Sequence, residues 1–160
     1  MAARADMLAR RFEEANQALT DAVARLSDVE WKLTTSAEKW PVAVVAHHVA
    51  VSHAGISGLV RSIAGGKHAP TLTMGMIDEG NAKHAKEFAN CSKAETIELC
   101  NKNAAAASAV VRGLSDAELD QKGSPLTGMP AMTTQQVIEG VLINHVNEHL
   151  GSIRATVGKK

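Results

Sequence analysis

Apolar positions recur at helical spacing through most of the chain. In residues 5–26 they fall mostly three or four apart, which is the period of an amphipathic helix. These positions are Leu8, Phe12, Ala15, Leu19, Ala22, Val23 and Leu26. A second helix is predicted from Pro41 to the pair Gly65-Gly66, because proline suits the start of a helix and glycine commonly follows its end.

Capping patterns divide the rest of the chain. A serine or threonine three residues before a glutamate or glutamine is typical of a helix start, and it occurs at several points. The pairs are Ser27 with Glu30, Ser92 with Glu95, and Thr133 with Gln136. The first pair and the stretch "LSDAEL" predict short helical turns. The remaining helices are predicted at about 76–90, 93–112 and 134–157, with loops at 67–75 and 122–133.

The pattern as a whole predicts an all-α protein. The four main helices are amphipathic, and helices of this length bury their apolar faces best as a four-helix bundle. The chain of 160 residues fits a single domain spanning residues 1–160. Alanine is abundant and aromatic residues are few, with two Phe, two Trp and no Tyr, which favours close packing of helices through small side chains.

Charge and composition exclude several classes of protein. Lys plus Arg and Asp plus Glu are both 17, so the net charge is zero and no nucleic-acid-binding surface is expected. The first fifteen residues are charged throughout and lack the apolar core of a signal peptide. No membrane-spanning segment is expected, and a cytoplasmic location is predicted. Cys91 and Cys100 are interpreted as two free thiols.

Two histidines near the end of the chain share one side of a helix. His145 and His149 are four residues apart, so both rings leave the same face. The buried side of that helix is marked by Ile138, Leu142, Val146 and Ile153. His149 falls inside this arc and His145 at its border, so both are expected to point toward the bundle interior or a cleft in it. Two imidazoles at this spacing can bind one divalent metal ion.

A third ligand is expected on the second helix. His48 shares the face of the apolar stripe there, whereas His47 lies about 100° away and His53 to one side. His68 and His84 are interpreted as ordinary surface residues. The alternative is that the inward-facing histidines bind no metal and are buried neutral groups, hydrogen-bonded to backbone or serine.

Other polar and sulfur-containing residues give weaker signals. Glu148 is expected to face solvent or another subunit, and Trp40 to fix the start of its helix by packing. Met74 and Met76 could lie in the core or wall an apolar entrance, and the core is favoured. Neither cysteine has a setting that would activate a thiolate. No catalytic residue can be named from these patterns.

Three segments resemble a known family. "EKWPVAVVAHHVA" is similar to the second-helix signature of the DinB/YfiT-like superfamily, in which a Trp precedes the first metal-binding His by eight residues, as Trp40 precedes His48. "HVNEHLGSIRA" resembles the last helix of that family. The middle of the chain, from "NAKHAKEFANCSKAE" to "GLSDAELD", is similar too. The resemblance covers about residues 5–157.

The resemblance implies a fold, a metal and a partner copy. It implies an up-down-down-up four-helix bundle, often a homodimer, with a divalent ion bound by three histidines. Carried onto this chain, those ligands are His48, His145 and His149, and the metal is Zn²⁺ or Ni²⁺. Each free ring N–H of these ligands is expected to meet a carbonyl or carboxylate.

The resemblance also implies a chemistry. Characterised relatives are thiol-dependent transferases and the mycothiol-dependent maleylpyruvate isomerase. The extra C-terminal domain of that isomerase has no counterpart in this sequence, so its activity is not expected. The sequence thus predicts a transferase that joins a small-molecule thiol to an electrophilic substrate, with hydrolysis by an activated water as a lesser possibility. The alternatives are a non-catalytic dimeric bundle that binds a metal or small ligand, and a purely structural bundle.

Overall fold

The computed structural model describes residues 3–158, most of which are helical. The helices are α1 (Ala3–Ala24), α2 (Asp28–Trp31), α3 (Val42–Ala64), α4 (Met74–Glu87), α5 (Lys93–Arg112), α6 (Asp116–Asp120), α7 (Thr134–Val137) and α8 (Asn144–Val157). A π-helical segment, Ile138–Ile143, joins α7 to α8, so residues 134–157 form one continuous helix. Two short strands, β1 (Lys122–Gly123) and β2 (Met132–Thr133), precede it.

Hydrogen bonds between the long helices give the direction of each. Helices α1 and α5 are antiparallel, since Asp6 bonds Arg112 and Asn16 bonds Asn101. Helices α3 and α5 are parallel, since Ala43 bonds Cys91, just before α5, and Ala50 bonds Asn103. Helix α1 and the last helix are also parallel, since Arg4 bonds Gln135 and Arg11 bonds Glu139. The topology is therefore the predicted up-down-down-up bundle.

Side-chain caps begin the helices where the sequence places them. Reciprocal capping boxes open α2, α6 and α7, at Ser27, Ser115 and Thr133. At Ser92 the hydroxyl accepts a hydrogen bond from the backbone N–H of Glu95, which is one half of the predicted box. Since these bonds satisfy N–H groups that the helix leaves open, the short polar links between helices have defined ends.

Helix α3 runs through the centre of the bundle. Most of its apolar side chains are buried, and Val45, Val49 and Ile63 have no exposed surface. Among the described residues, α3 is the one helix long and apolar enough to cross a membrane by length and composition. Most of its apolar stretch is instead buried inside the protein, which is the usual setting of a core helix.

The segment 122–133 is more ordered than the predicted loop. Lys122 pairs with Thr133 and Gly123 with Met132 in a short antiparallel hairpin. A side chain at Gly123 would be crowded, because a Cβ would lie 3.1 Å from a side-chain carbon of Ile63. The prediction of a loop was therefore wrong at the two ends of this segment. Strands of two residues are too short to show an alternation of apolar and polar residues in the sequence.

Candidate metal centre

Three imidazoles from two helices meet at one side of the bundle. His48 projects from α3, and His145 and His149 project from α8. The Nε2 atoms of His48 and His145 are 3.0 Å apart, although 97 residues separate them in the sequence. One ring nitrogen from each of the three lies within 4.8 Å of those of the other two. The structure thus brings together the three side chains that the sequence singled out.

The surrounding faces follow the predicted helical wheels. Ile138, Leu142, Val146 and Ile153 have no exposed surface, as expected of the inner side of the last helix. His145 and His149 are half-buried at the edge of that face. Their rings therefore leave the apolar interior at the border of a cleft.

The carboxylate of Glu38, which no sequence pattern indicated, is hydrogen-bonded to the outer side of the cluster. Oε2 of Glu38 accepts a hydrogen bond from Nδ1 of His149 at 2.7 Å, and Oε1 accepts one from the Ser152 hydroxyl at 2.5 Å. Burial acts to raise the pKa of Glu38, but hydrogen bonds from Ser152, Thr35 and His149 outweigh it and hold the pKa below its ordinary value. An ionised Glu38 keeps the proton of His149 on Nδ1 and leaves its Nε2 lone pair free for the cluster.

Glu38 belongs to a tight turn between α2 and α3. Thr34 and Pro41 close the turn through an isolated antiparallel bridge. Inside it, Lys39 has a φ of 65°, a left-handed conformation that costs a non-glycine residue about 1 kcal/mol or more. The turn also carries Trp40, whose ring meets His48 edge-on with centroids 5.4 Å apart. Trp40 therefore packs against a site residue in addition to preceding the helix.

Burial keeps two of the clustered imidazoles neutral. Burial, and then the nearby imidazoles of His149 and His84, lower the pKa of His48 to about 4. Burial and the neighbouring imidazoles also lower the pKa of His145, to about 3. Both rings are uncharged at neutral pH, which is the form that can bind a metal ion.

The ring of His145 lacks the outer partner that was expected. Its Nδ1 is buried and has no hydrogen-bond partner among residues 3–158. The prediction that a carbonyl or carboxylate would hold every ring N–H of the three histidines is therefore wrong for His145. It is correct for His149, through Glu38.

His84 is not the ordinary surface residue that its polar surroundings in the sequence indicated. It is half-buried, and its Nε2 lies 2.8 Å from Nδ1 of His47. Phe88 stacks on His47 with ring centroids 4.1 Å apart. The ring of His84 also lies 6.0 Å from that of His48. This stack attaches α4 to α3 beside the candidate centre.

The two methionines before Ile77 lie on the surface and not in the core. Met74 is 55% exposed and Met76 is 49% exposed, in the first turn of α4. The preference for a core position was therefore wrong. Glu148 is exposed and accepts a hydrogen bond from Asn144, so it faces solvent as predicted.

The cysteines have no activated thiolate. Burial raises the pKa of Cys91, and burial raises that of Cys100 to about 12. The Cys100 thiol lies 3.0 Å from the Asn16 side-chain oxygen, which also lies 2.9 Å from Nε2 of the fully buried His53. These groups form a buried polar network between α1, α3 and α5, outside the candidate centre.

A cavity of about 720 Å³ opens beside the three imidazoles. Its walls are mostly apolar, with Trp40, Ile56 and Leu59 among the lining residues. The α4 helix forms one side through Ile77 and Asn81, and none of the α4 residues is buried. A ligand-sized space therefore adjoins the candidate centre.

The donor set fits a divalent transition-metal ion. Zinc, for example, binds imidazole nitrogen at about 2.0–2.1 Å, so two nitrogens that share one ion lie roughly 3 Å or slightly more apart. The 3.0 Å between His48 and His145 agrees with that spacing. Three protein ligands leave a position open for a reactant, and imidazole is a ligand of zinc, copper, iron and nickel alike. Glu38 behind His149 is the outer partner that such ligands usually have.

The fold and the three imidazoles define a helical bundle with a candidate three-histidine metal centre. The sequence matches the DinB superfamily over residues 11–153, and the chain belongs to that superfamily. A comparison with curated proteins found no significant match.

Solved structures share the fold. YfiT from Bacillus subtilis, described as a probable metal-dependent hydrolase with an unusual four-helix bundle topology, aligns with a TM-score of 0.78 and 18% identity. The alignment covers 100% of this chain and 91% of YfiT. The mycothiol-dependent maleylpyruvate isomerase aligns with a TM-score of 0.74 and 11% identity, over 96% of this chain but 63% of the isomerase. A variant of that isomerase aligns equally well, with a TM-score of 0.74.

Proposed function

We propose that this protein is a metal-dependent S-transferase that joins a low-molecular-weight thiol to an electrophile. His48, His145 and His149 would hold the divalent ion, and we expect zinc or nickel. The observation that carries the proposal is the convergence of these imidazoles at the wall of an apolar cavity of about 720 Å³. Membership of the DinB superfamily supports the proposal further, as does the structural similarity of this chain to the mycothiol-dependent maleylpyruvate isomerase.

The side chains around the centre prepare it for this reaction. A divalent ion bound there would supply the positive charge that favours a thiolate over a thiol. Glu38 fixes the proton of His149 on Nδ1, and Trp40 packs against the ring of His48. The walls of the adjoining cavity are mostly apolar. In the transfer, a sulfur–carbon bond forms as the bond to the leaving group breaks, the leaving group keeps the electron pair, and the thiol proton passes to solvent.

Hydrolysis is a second candidate for the same centre. Its support is the likeness to YfiT, which is described as a probable metal-dependent hydrolase and of which the alignment covers 91%. In that case water takes the place of the thiol, and turnover does not depend on thiol concentration. A non-catalytic bundle that binds metal or a small ligand is the remaining alternative.

Elemental analysis of protein purified without a histidine tag tests the metal centre. We expect close to one zinc or nickel ion per chain, lost in the His48→Ala and His149→Ala variants. His68→Ala is the matched control, because His68 contacts Ser62 and lies outside the cluster. Protein that takes up no metal under any loading condition would reject the centre.

Turnover of an electrophilic probe, 1-chloro-2,4-dinitrobenzene, with a panel of low-molecular-weight thiols tests the reaction. Thiol-dependent product formation that is lost in His149→Ala supports the transferase. Cleavage of an ester probe, 4-nitrophenyl acetate, without thiol supports the hydrolase, and binding without turnover of either probe supports the non-catalytic alternative. The homodimer and the cytoplasmic location stay predictions.

A further inference from the structure

The cavity beside the imidazoles has an unequal distribution of charge. Among the described residues that line it there is no lysine or arginine, whereas two carboxylates, Glu38 and Asp78, contribute to its walls. Glu38 is committed to His149 and Ser152. Asp78 is therefore the one acid in this lining that remains available to a ligand.

Asp78 has no cation nearby on its own helix. The positions three and four residues away along α4, where a partner would lie, hold Met74, Gly75, Asn81 and Ala82. No ion pair of Asp78 is found within residues 3–158. The side chain is exposed, so its charge lies where the cavity meets solvent.

Asp78 and the three imidazoles reach the cavity from different helices, Asp78 from α4 and the imidazoles from α3 and α8. His84 is the α4 residue whose ring approaches His48, at 6.0 Å. Asp78 precedes it by six residues, which is about 9 Å of helix. The same lining includes the apolar side chains of Ile56, Leu59 and Ile77. The negative charge of Asp78 and the imidazole cluster therefore belong to different helices around one mostly apolar space.

We propose that the substrate taken up by this cavity is a largely apolar molecule that carries a primary amine. This rests on the proposed function in that the cavity is taken as the substrate site. The hydrocarbon body lies against the apolar walls, and the ammonium group pairs with Asp78 at the mouth, where it keeps part of its hydration. A carboxylate at the same place would face a like charge with no cation to offset it.

Calorimetric binding of three matched ligands tests the inference without requiring turnover. The ligands are 4-phenylbutylamine, 4-phenylbutanamide and 4-phenylbutyrate, measured on metal-free and zinc-loaded protein. On metal-free protein we expect the amine to bind more tightly than the amide, and the carboxylate about tenfold more weakly than the amine, because this order derives from Asp78. On zinc-loaded protein the amine should still bind more tightly than the amide, whereas the carboxylate should gain affinity because it can ligate zinc.

Two variants test whether Asp78 causes the preference for the amine. Asp78→Asn should bring the amine and the amide to within about twofold of each other, since an exposed pair contributes at most a few-fold. Glu79→Gln is the control, because Glu79 is also exposed on α4 but does not line the cavity. It should leave the order unchanged.

Failure of this inference is distinguishable from failure of the proposed function. Equal binding of amine and carboxylate to metal-free protein, no binding of any of the three, or an unchanged order in Asp78→Asn would overturn the inference. If the order holds but no thiol supports turnover, the amine site stands and the S-transfer chemistry fails.

Discussion

At the residue scale, the proton of His149 is the feature that decides what the imidazole cluster can bind. In a neutral imidazole one nitrogen carries the proton and the other has a free lone pair, and the hydrogen-bond partner of the ring decides which nitrogen is protonated. Glu38 makes that choice for His149, and Ser152 holds Glu38 in place. His145 has no such partner on Nδ1 among residues 3–158. The hydrogen-bonded support of the site is therefore concentrated on one of its three imidazoles.

Replacement of Glu38 should weaken metal binding without unfolding the protein. We expect Glu38→Gln to lower zinc affinity by about 10- to 100-fold, the usual effect of losing a carboxylate partner of a ligating histidine. Competition with a chromophoric chelator measures the affinity. Glu148→Gln is the control, since Glu148 neighbours His149 in sequence but, within residues 3–158, has its side-chain hydrogen bond with Asn144. Equal affinity in both variants would show that Glu38 does not orient His149.

At the element scale, the π-helical segment Ile138–Ile143 sets the direction of the two histidines that follow it. One residue of an α-helix corresponds to a rotation of about 100°. Because a π-helix closes its hydrogen bonds over five residues, it holds an additional residue, and the side chains beyond it are turned relative to those before it. The helix can thus begin at the Thr133 cap and still direct the rings of His145 and His149 toward His48.

Deletion of Gly140 should therefore disturb the candidate centre while leaving the helix intact. The deletion removes the additional residue, so His145 and His149 can meet His48 only if the first part of the helix turns out of its packing. We expect at least about a tenfold loss of zinc affinity, with helix content by circular dichroism nearly unchanged. Gly140→Ala keeps the residue count and adds only an ordinary contact, 3.9 Å from Met132, so it should bind as wild type. Undiminished affinity in the deletion would contradict this account.

At the scale of the whole molecule, several histidines are buried in the uncharged form. Burial lowers the pKa of His53 to about 4, as it does that of His48, and lowers that of His145 to about 3. An unfolded chain releases these groups to an ordinary pKa of about 6.5. Between these values the unfolded state binds protons that the folded state does not, so folding stability rises with pH in that window.

The metal-free protein should consequently lose stability as pH falls from about 6.5 to about 4. The contribution is fully present above pH 6.5 and is lost below the folded-state values. Urea unfolding in the presence of a chelator, at intervals from pH 7.5 to pH 4.5, measures this change. His53→Gln should reduce the slope of unfolding free energy against pH by about one proton. An unfolding free energy that does not change with pH in this window would refute the neutral burial of these residues.

The sequence was sufficient to predict the parts of the molecule in which apolar residues recur at helical spacing. The predicted bounds 93–112 coincide with α5, and the spacing of His145 and His149 placed both rings on one face. Glu38 lies in a turn with no period, so nothing indicated where its side chain points. The pairing of His84 with His47 depends on how α4 crosses α3. A helical wheel gives the side of a helix but neither the neighbour it meets nor an irregular backbone such as the π segment.

Because α4 has no buried residue, most substitutions along it leave the free energy of folding nearly unchanged. Yet α4 supplies part of the cavity wall, while the three imidazoles are fixed to α3 and α8. Diversification of ligand preference can thus proceed on one helix without disturbing the metal-ligand geometry on the others. Randomised α4 libraries are accordingly the natural starting point for redirecting this protein toward new substrates.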